Sequence, residues 1–181
     1  MLRVSHHDDR AAFARLYERF KGPIMSYVFN QIRDRSQAED LTQEVFLKVY
    51  RNRINYEPKA KFSTWLWTIA RNTCIDYFRK GTSVETPFSD PADLDHVESP
   101  ISDAQYQLIE HADRARFEEC LTELTDTQRE AILLRTMSEL SYDEISTLMK
   151  LTLSTIKSHL FRAKTSLLDC LNHEKLHRGE A

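Results

Sequence analysis

The 181 residues carry 25 Lys/Arg against 28 Asp/Glu, a net charge of −3, with only three Gly, five Pro and three Cys. That length holds one ordinary domain or two small helical ones, and scarce Gly and Pro among many helix formers leave strands little support. Bulk acidity argues against a nucleic-acid binder, but the distribution does not: residues 1–80 hold 15 basic against 9 acidic residues, 81–140 hold 4 against 14, and 141–181 hold 6 against 5. Charge so unevenly divided points to segments that meet different partners.

The opening MLRVSHHDDR lacks the apolar stretch of a secretory leader, and no run approaches the roughly 18 apolar residues of a membrane span, so a soluble cytoplasmic protein without membrane insertion is expected. Cys74, Cys120 and Cys170 are far apart and odd in number, and the seven His are scattered. Reduced thiols are the expectation, with neither a metal nor another cofactor.

The first helix starts at Asp8 or Asp9, with Ala12, Phe13, Leu16, Tyr17 and Phe20 inward. Gly22-Pro23 is expected to interrupt it, and Ile24, Tyr27, Val28 and Ile32 resume the pattern. Ser36 and Glu39 have capping-box spacing and open a second helix with Leu41, Val45, Phe46 and Val49 as its inner stripe. Asp40, Gln43, Glu44 and Lys48 fall largely outside that stripe, on a face that serves solubility or the docking of a partner.

A third helix, capped by Ser63 or Thr64, buries Leu66, Trp67, Ala70, Cys74, Tyr77 and Phe78, with Trp65, Ile69, Asn72, Asp76 and Arg79 on another side. Between Lys48 and Lys80 lie eight basic and two acidic residues. Aromatics among cations suit single-stranded nucleic acid, where rings stack on bases and cations track the backbone. Most of these rings are core, so Arg71, Asn72, Arg79 and Lys80 are the candidates for contact.

Residues 81–103 lose periodicity: three Pro, six acids and no Lys or Arg describe an extended acidic linker. Helices resume over about 104–124, with Leu108, Phe117 and Leu121 inward, and over about 126–137, capped by Asp126 or Thr127. Ser141 and Glu144 form another capping box, followed by Ile145, Leu148 and Met149 on one stripe. After a short turn Thr152 caps a second helix whose Leu153, Ile156, Leu160, Ala163 and Leu167 face inward. Its other face is read as Ser154, Thr155, Ser158, His159 and Arg162, flanked by Lys157 and Lys164. Helix, tight turn and helix with hydroxyls and cations outward is the geometry of a helix-turn-helix, which contacts phosphates and base edges.

The expected fold is therefore all-α: a helical module over 1–80, a linker over 81–103 and a second helical module over 104–181. The motifs FARLYERF, AEDLTQEVFLKVY and FSTWLWTIARNTCIDYFRK resemble region two of sigma factors of the extracytoplasmic function (ECF) type, in the sigma-70 family. LTELTDTQREAILLRTMSELSYDEIS and STIKSHLFRAK resemble region four. The resemblance implies that Asp40, Gln43 and Glu44 dock on the clamp of core RNA polymerase. It implies that Arg71, Asn72, Arg79 and Lys80 meet the opened −10 element of promoter DNA. It also implies that Ser154, Thr155, Lys157, Ser158, His159 and Arg162 read the −35 duplex in a region that contacts the polymerase flap, and that an anti-sigma factor is a further partner.

The chain departs from the family at three places. Lys150 stands where relatives usually have Gly, Ser146 where a small Ala is favoured, and His159 where Arg is frequent. Two other classes stay open: a free-standing helix-turn-helix regulator, and a DNA-acting enzyme such as a recombinase. No grouped nucleophile, base or metal set is evident for the second, so a non-enzymatic factor is the expectation.

Overall fold

A computed structural model describes residues 1, 4, 9–57, 61–81 and 114–178, the side chains at 81, 114 and 173–178 excepted. Its described residues form seven α-helices: α1 (Arg10–Ile32), α2 (Arg35–Arg51), α3 (Phe62–Gly81), α4 (Arg114–Cys120), α5 (Asp126–Met137), α6 (Tyr142–Met149) and α7 (Leu153–Arg178). They divide into two compact units, one within 1–86 and one within 87–181. Gly81, expected to open the linker, instead ends α3; the rest of the expected linker and most of the expected 104–124 helix, Leu108 included, lie outside the described residues.

In the first unit α1, α2 and α3 pack on one another. Asp9 caps α1, its carboxylate accepting from the Ala12 amide at 2.8 Å. Contrary to the expected interruption, α1 runs unbroken through Gly22 and Pro23. An interior Pro costs about 3 kcal/mol. Four edge-to-face ring pairs span both sides of it: Phe13–Tyr50, Tyr17–Phe46, Phe20–Phe62 and Tyr27–Trp67, with centroids 4.7–5.7 Å apart. At about 0.5–1.5 kcal/mol each beyond their burial, such pairs offset that penalty.

Arg33 ends α1 in the left-handed region (φ 63°), its N–H bonded to the Phe29 carbonyl. The chain reverses at once, and Asp34 caps α2 by accepting from the Gln37 amide at 3.0 Å. The expected Ser36/Glu39 box is therefore replaced by a start two residues earlier, and Glu39 pairs with Arg35 at 3.2 Å instead. Ala38, Leu41, Val45, Phe46 and Val49 of α2 are buried, as are Leu66, Trp67, Ala70 and Cys74 of α3.

The second unit packs α4, α5 and α6 against α7. Thr125, rather than Asp126 or Thr127, caps α5, in a reciprocal box with Gln128. Arg129 fastens the preceding 3₁₀ turn (Leu121–Glu123) to that helix, donating to the carbonyls of Leu121 (3.0 Å) and Leu124 (2.8 Å). Against the expectation of free thiols, Cys120 at the end of α4 and Cys170 on α7 form a disulfide across 50 residues of sequence. Packing brings their Cα atoms to 5.9 Å, within the reach of a disulfide, which their spacing in sequence does not foretell. The Arg116 guanidinium ties the same two helices by donating to the Leu171 carbonyl. Cys74 is fully buried on α3 and stands outside that disulfide.

Candidate nucleic-acid and polymerase interfaces

The helix-turn-helix is built by local bonds that the sequence spells out. The Ser141 hydroxyl accepts from the Glu144 amide (3.3 Å), and the Glu144 carboxylate accepts from the Ser141 amide (2.8 Å). Lys150 then closes α6 in the left-handed region at φ 59°, ψ 37°. A side chain with a Cβ there costs roughly 1 kcal/mol relative to Gly. Ser146 compensates locally: its carbonyl accepts from the Leu151 amide (3.1 Å), and its hydroxyl donates to the Leu151 carbonyl (2.6 Å). Two residues on, Thr152 caps α7 by accepting from the Thr155 amide at 3.2 Å. Ile156, Leu160, Ala163 and Leu167 are fully buried, which fixes the rotation of α7 about its axis.

That rotation corrects the expected outward face. Ser154 and Lys157 are exposed, and Ser158 and Arg162 are half-exposed. Thr155 and His159, however, each keep only 8% of their surface. The Thr155 hydroxyl is 2.7 Å from that of Thr152 and completes the cap. His159 points into the unit, since it sits three and four residues from the buried Ile156 and Ala163. Lys164, expected on the flank, is buried as well, and desolvation lowers the pKa of its ammonium. The stripe left to solvent is Ser154, Lys157, Ser158, Phe161, Arg162 and Thr165. Phe161, half-buried in that stripe, belongs to neither of the two faces expected from the sequence.

In the first unit the expected docking residues reach solvent: Asp40 and Gln43 are exposed and Glu44 is partly so, paired with Lys48 at 2.9 Å. They are followed one turn later by Leu47, which leaves 53% of its surface in water. On α3, Asn72, Arg79 and Lys80 are exposed as expected. Arg71 is not: it keeps 8% of its surface, next in sequence to the fully buried Ala70. Trp65 is half-buried, edge-on to Tyr56 with centroids 5.1 Å apart. Burial also raises the Tyr56 phenol pKa.

An open groove runs between α2 and α3, with Gln37, Asp40, Leu41 and Glu44 on one wall and Thr73, Asp76, Tyr77 and Lys80 on the other. Lys80, expected with the strand-holding set, thus shares a groove with two of the docking residues. Of the four candidates on α3, Arg71, Asn72 and Arg79 lie outside it, and of these only Asn72 and Arg79 are exposed. Among the described residues no helix is long and apolar enough to cross a membrane.

Comparison with known proteins agrees with these two units. Residues 16–84 match the family described as Sigma-70 region 2, and residues 114–167 the family described as Sigma-70, region 4. The ECF RNA polymerase sigma factor SigK of Mycobacterium tuberculosis (strain ATCC 25618 / H37Rv) is 36% identical over 174 residues, covering 94% of this chain and 90% of that one. SigK of Mycobacterium ulcerans (strain Agy99) is 33% identical, with coverages of 95% and 92%. Among solved structures, the sigma factor RpoE in complex with the anti-sigma factor NepR, from Bartonella quintana, has the same fold: TM-score 0.65, 24% identity, 88% of this chain and 96% of that one. CnrH in complex with the cytosolic domain of CnrY does so at TM-score 0.65 and 18% identity, covering 96% of each chain. The chain belongs to the sigma-70 family, as a sigma factor of the extracytoplasmic function type.

Proposed function

We propose that the two units divide promoter recognition between opened and paired DNA while core RNA polymerase holds both. The first unit seats on the polymerase clamp through Asp40, Gln43 and Glu44, with Leu47 beside them. Asn72, Arg79 and Lys80 hold the displaced −10 strand, cations tracking its backbone as in other single-strand sites. The second unit reads the −35 duplex through Ser154, Lys157, Ser158 and Arg162, with Phe161 in the same stripe, and meets the polymerase flap. Arg71, Thr155 and His159 support these surfaces from behind.

One observation carries this reading: a stripe of hydroxyls and cations stays in water along the first turns of α7, directly after a tight left-handed corner. Phosphates anchor such a stripe and base edges give it specificity. Bond making belongs to the polymerase, and this chain acts as a non-catalytic factor in the cytoplasm without a cofactor. The Bartonella quintana relative was solved with its anti-sigma factor, which supports a partner of that kind here.

Transcription and gel-shift assays with and without core polymerase test the proposal. Specific initiation is expected only when both proteins are present. Tight operator binding by the chain alone, with no initiation, would favour a free-standing regulator instead. Asn72→Ala with Arg79→Ala is expected to keep core association and lose the permanganate-reactive bubble. A bubble that persists in that variant would overturn the assignment on α3.

A further inference from the structure

We infer that Lys48 is a strut that sets the spacing between the helix that docks on polymerase and the helix that holds the opened strand, so that docking and opening can be separated at one side chain. The inference rests on the reading just proposed. The Lys48 ammonium lies 2.9 Å from the Glu44 carboxylate on its own helix. It also donates to the Thr73 hydroxyl at 3.1 Å and lies 3.7 Å from the Asp76 carboxylate, both on α3.

Thr73 makes this more than a surface pair. It is 1% exposed, and its hydroxyl donates to the Ile69 carbonyl at 2.8 Å while accepting from Lys48. The ammonium is thus pinned at one point to the interior of the unit. Exposed ion pairs add little to stability. The effect of this cage is therefore sought in geometry, since three oxygens on two helices fix the position of a single cation.

Glu44, Thr73 and Asp76 all line the groove between α2 and α3, and Lys48 contacts all three from beside it. Without the ammonium, the carboxylates of Asp40, Glu44 and Asp76 would share the groove with Lys80 alone among the lining cations. The docking side would become more negative while the link to α3 is lost. Docking and opening should then move in different directions, whereas a merely destabilised unit would lose both together.

The test measures core-polymerase affinity by fluorescence titration and the rate of open-complex formation by the holoenzyme, with melting temperature as the control for folding. Lys48→Met is expected to melt within a few degrees of wild type and to bind core equally or up to about threefold more tightly. It should open promoters about tenfold more slowly. Lys48→Arg should restore opening, Asp76→Asn should reproduce the defect, and the Lys48→Met/Asp76→Asn double variant should add nothing further. Opening within twofold of wild type, affinity and opening falling in parallel, or defects that sum in the double variant would each overturn the role of Lys48. Failure of the wild-type chain to initiate with core polymerase would overturn the sigma reading beneath it, a result distinct from any of these.

Discussion

The Ser146 hydroxyl donates to the Leu151 carbonyl at 2.6 Å, across the corner where Lys150 takes φ 59°. This bond closes the turn from its inner side, just where the backbone is under strain. Lys150→Gly is expected to raise the stability of the second unit by about 1 kcal/mol, because only the Cβ penalty is removed. Ser146→Ala should lower it by about 1 kcal/mol, the net worth of one hydrogen bond. Urea denaturation followed by circular dichroism measures both, and equal stability in all three proteins would remove this account of the turn.

The recognition stripe predicts two kinds of variant on one helix. Lys157→Ala and Arg162→Ala should weaken binding to the −35 duplex and each reduce the salt dependence of log K by about one, as expected when one phosphate contact is lost. His159→Ala lies inside the unit, so it should lower the melting temperature and leave the salt slope unchanged. A reduced slope for His159→Ala would return that residue to the interface.

On the docking face, Glu44→Lys is expected to weaken core-polymerase association at least tenfold by reversing a charge. Leu47→Ser removes an apolar side chain that is more than half in water, so it should cost little stability in the free protein. Its effect should appear as a several-fold loss of core affinity, because the proposed docking would bury that side chain. Affinity unchanged in a titration with Leu47→Ser would shorten the interface by one turn.

The disulfide makes a prediction about cooperativity. A cross-link spanning 50 residues restricts the unfolded chain by about 4 kcal/mol in the chain-entropy picture. Reductant, or Cys120→Ser with Cys170→Ser, should therefore lower the denaturation midpoint of the second unit while leaving that of the first unchanged. Coincident loss in both units would contradict their independence.

Lys164 gives a pH dependence whose sign follows from its burial. Desolvation places its folded-state pKa below the ordinary lysine value of 10.5. Between the two values the unfolded chain binds more protons, so this group adds stability as pH rises from the folded pKa to 10.5, and weighs against folding at neutral pH. Lys164→Met should raise the melting temperature at pH 7 and reduce that alkaline gain relative to wild type. A larger gain in the variant would reverse the assignment.

Much of the helix-turn-helix could be read directly from residues, because its caps are made by side chains within three positions of the amides they satisfy. Asp9, the Ser141/Glu144 pair and Thr152 all cap as their spacing implies. The Ser36/Glu39 spacing is equally good, yet Asp34 caps that helix because a left-handed Arg33 brings it into position first. Burial of Arg71, Thr155 and His159 was less legible. A helical wheel gives the centre of the buried stripe, while its width depends on how far neighbouring helices wrap the flanks. The Cys120–Cys170 pairing depends on tertiary packing alone.

Helix α6 is eight residues long and has a left-handed residue near each end, Glu139 (φ 55°) before it and Lys150 after it. A helix so short does not persist alone in water. It exists because Ile145, Leu148 and Met149 are sealed beneath its neighbours. In the proposed function, freeing α6 would also loosen the corner that aims α7, so the −35 contact would depend on a helix that cannot stand alone.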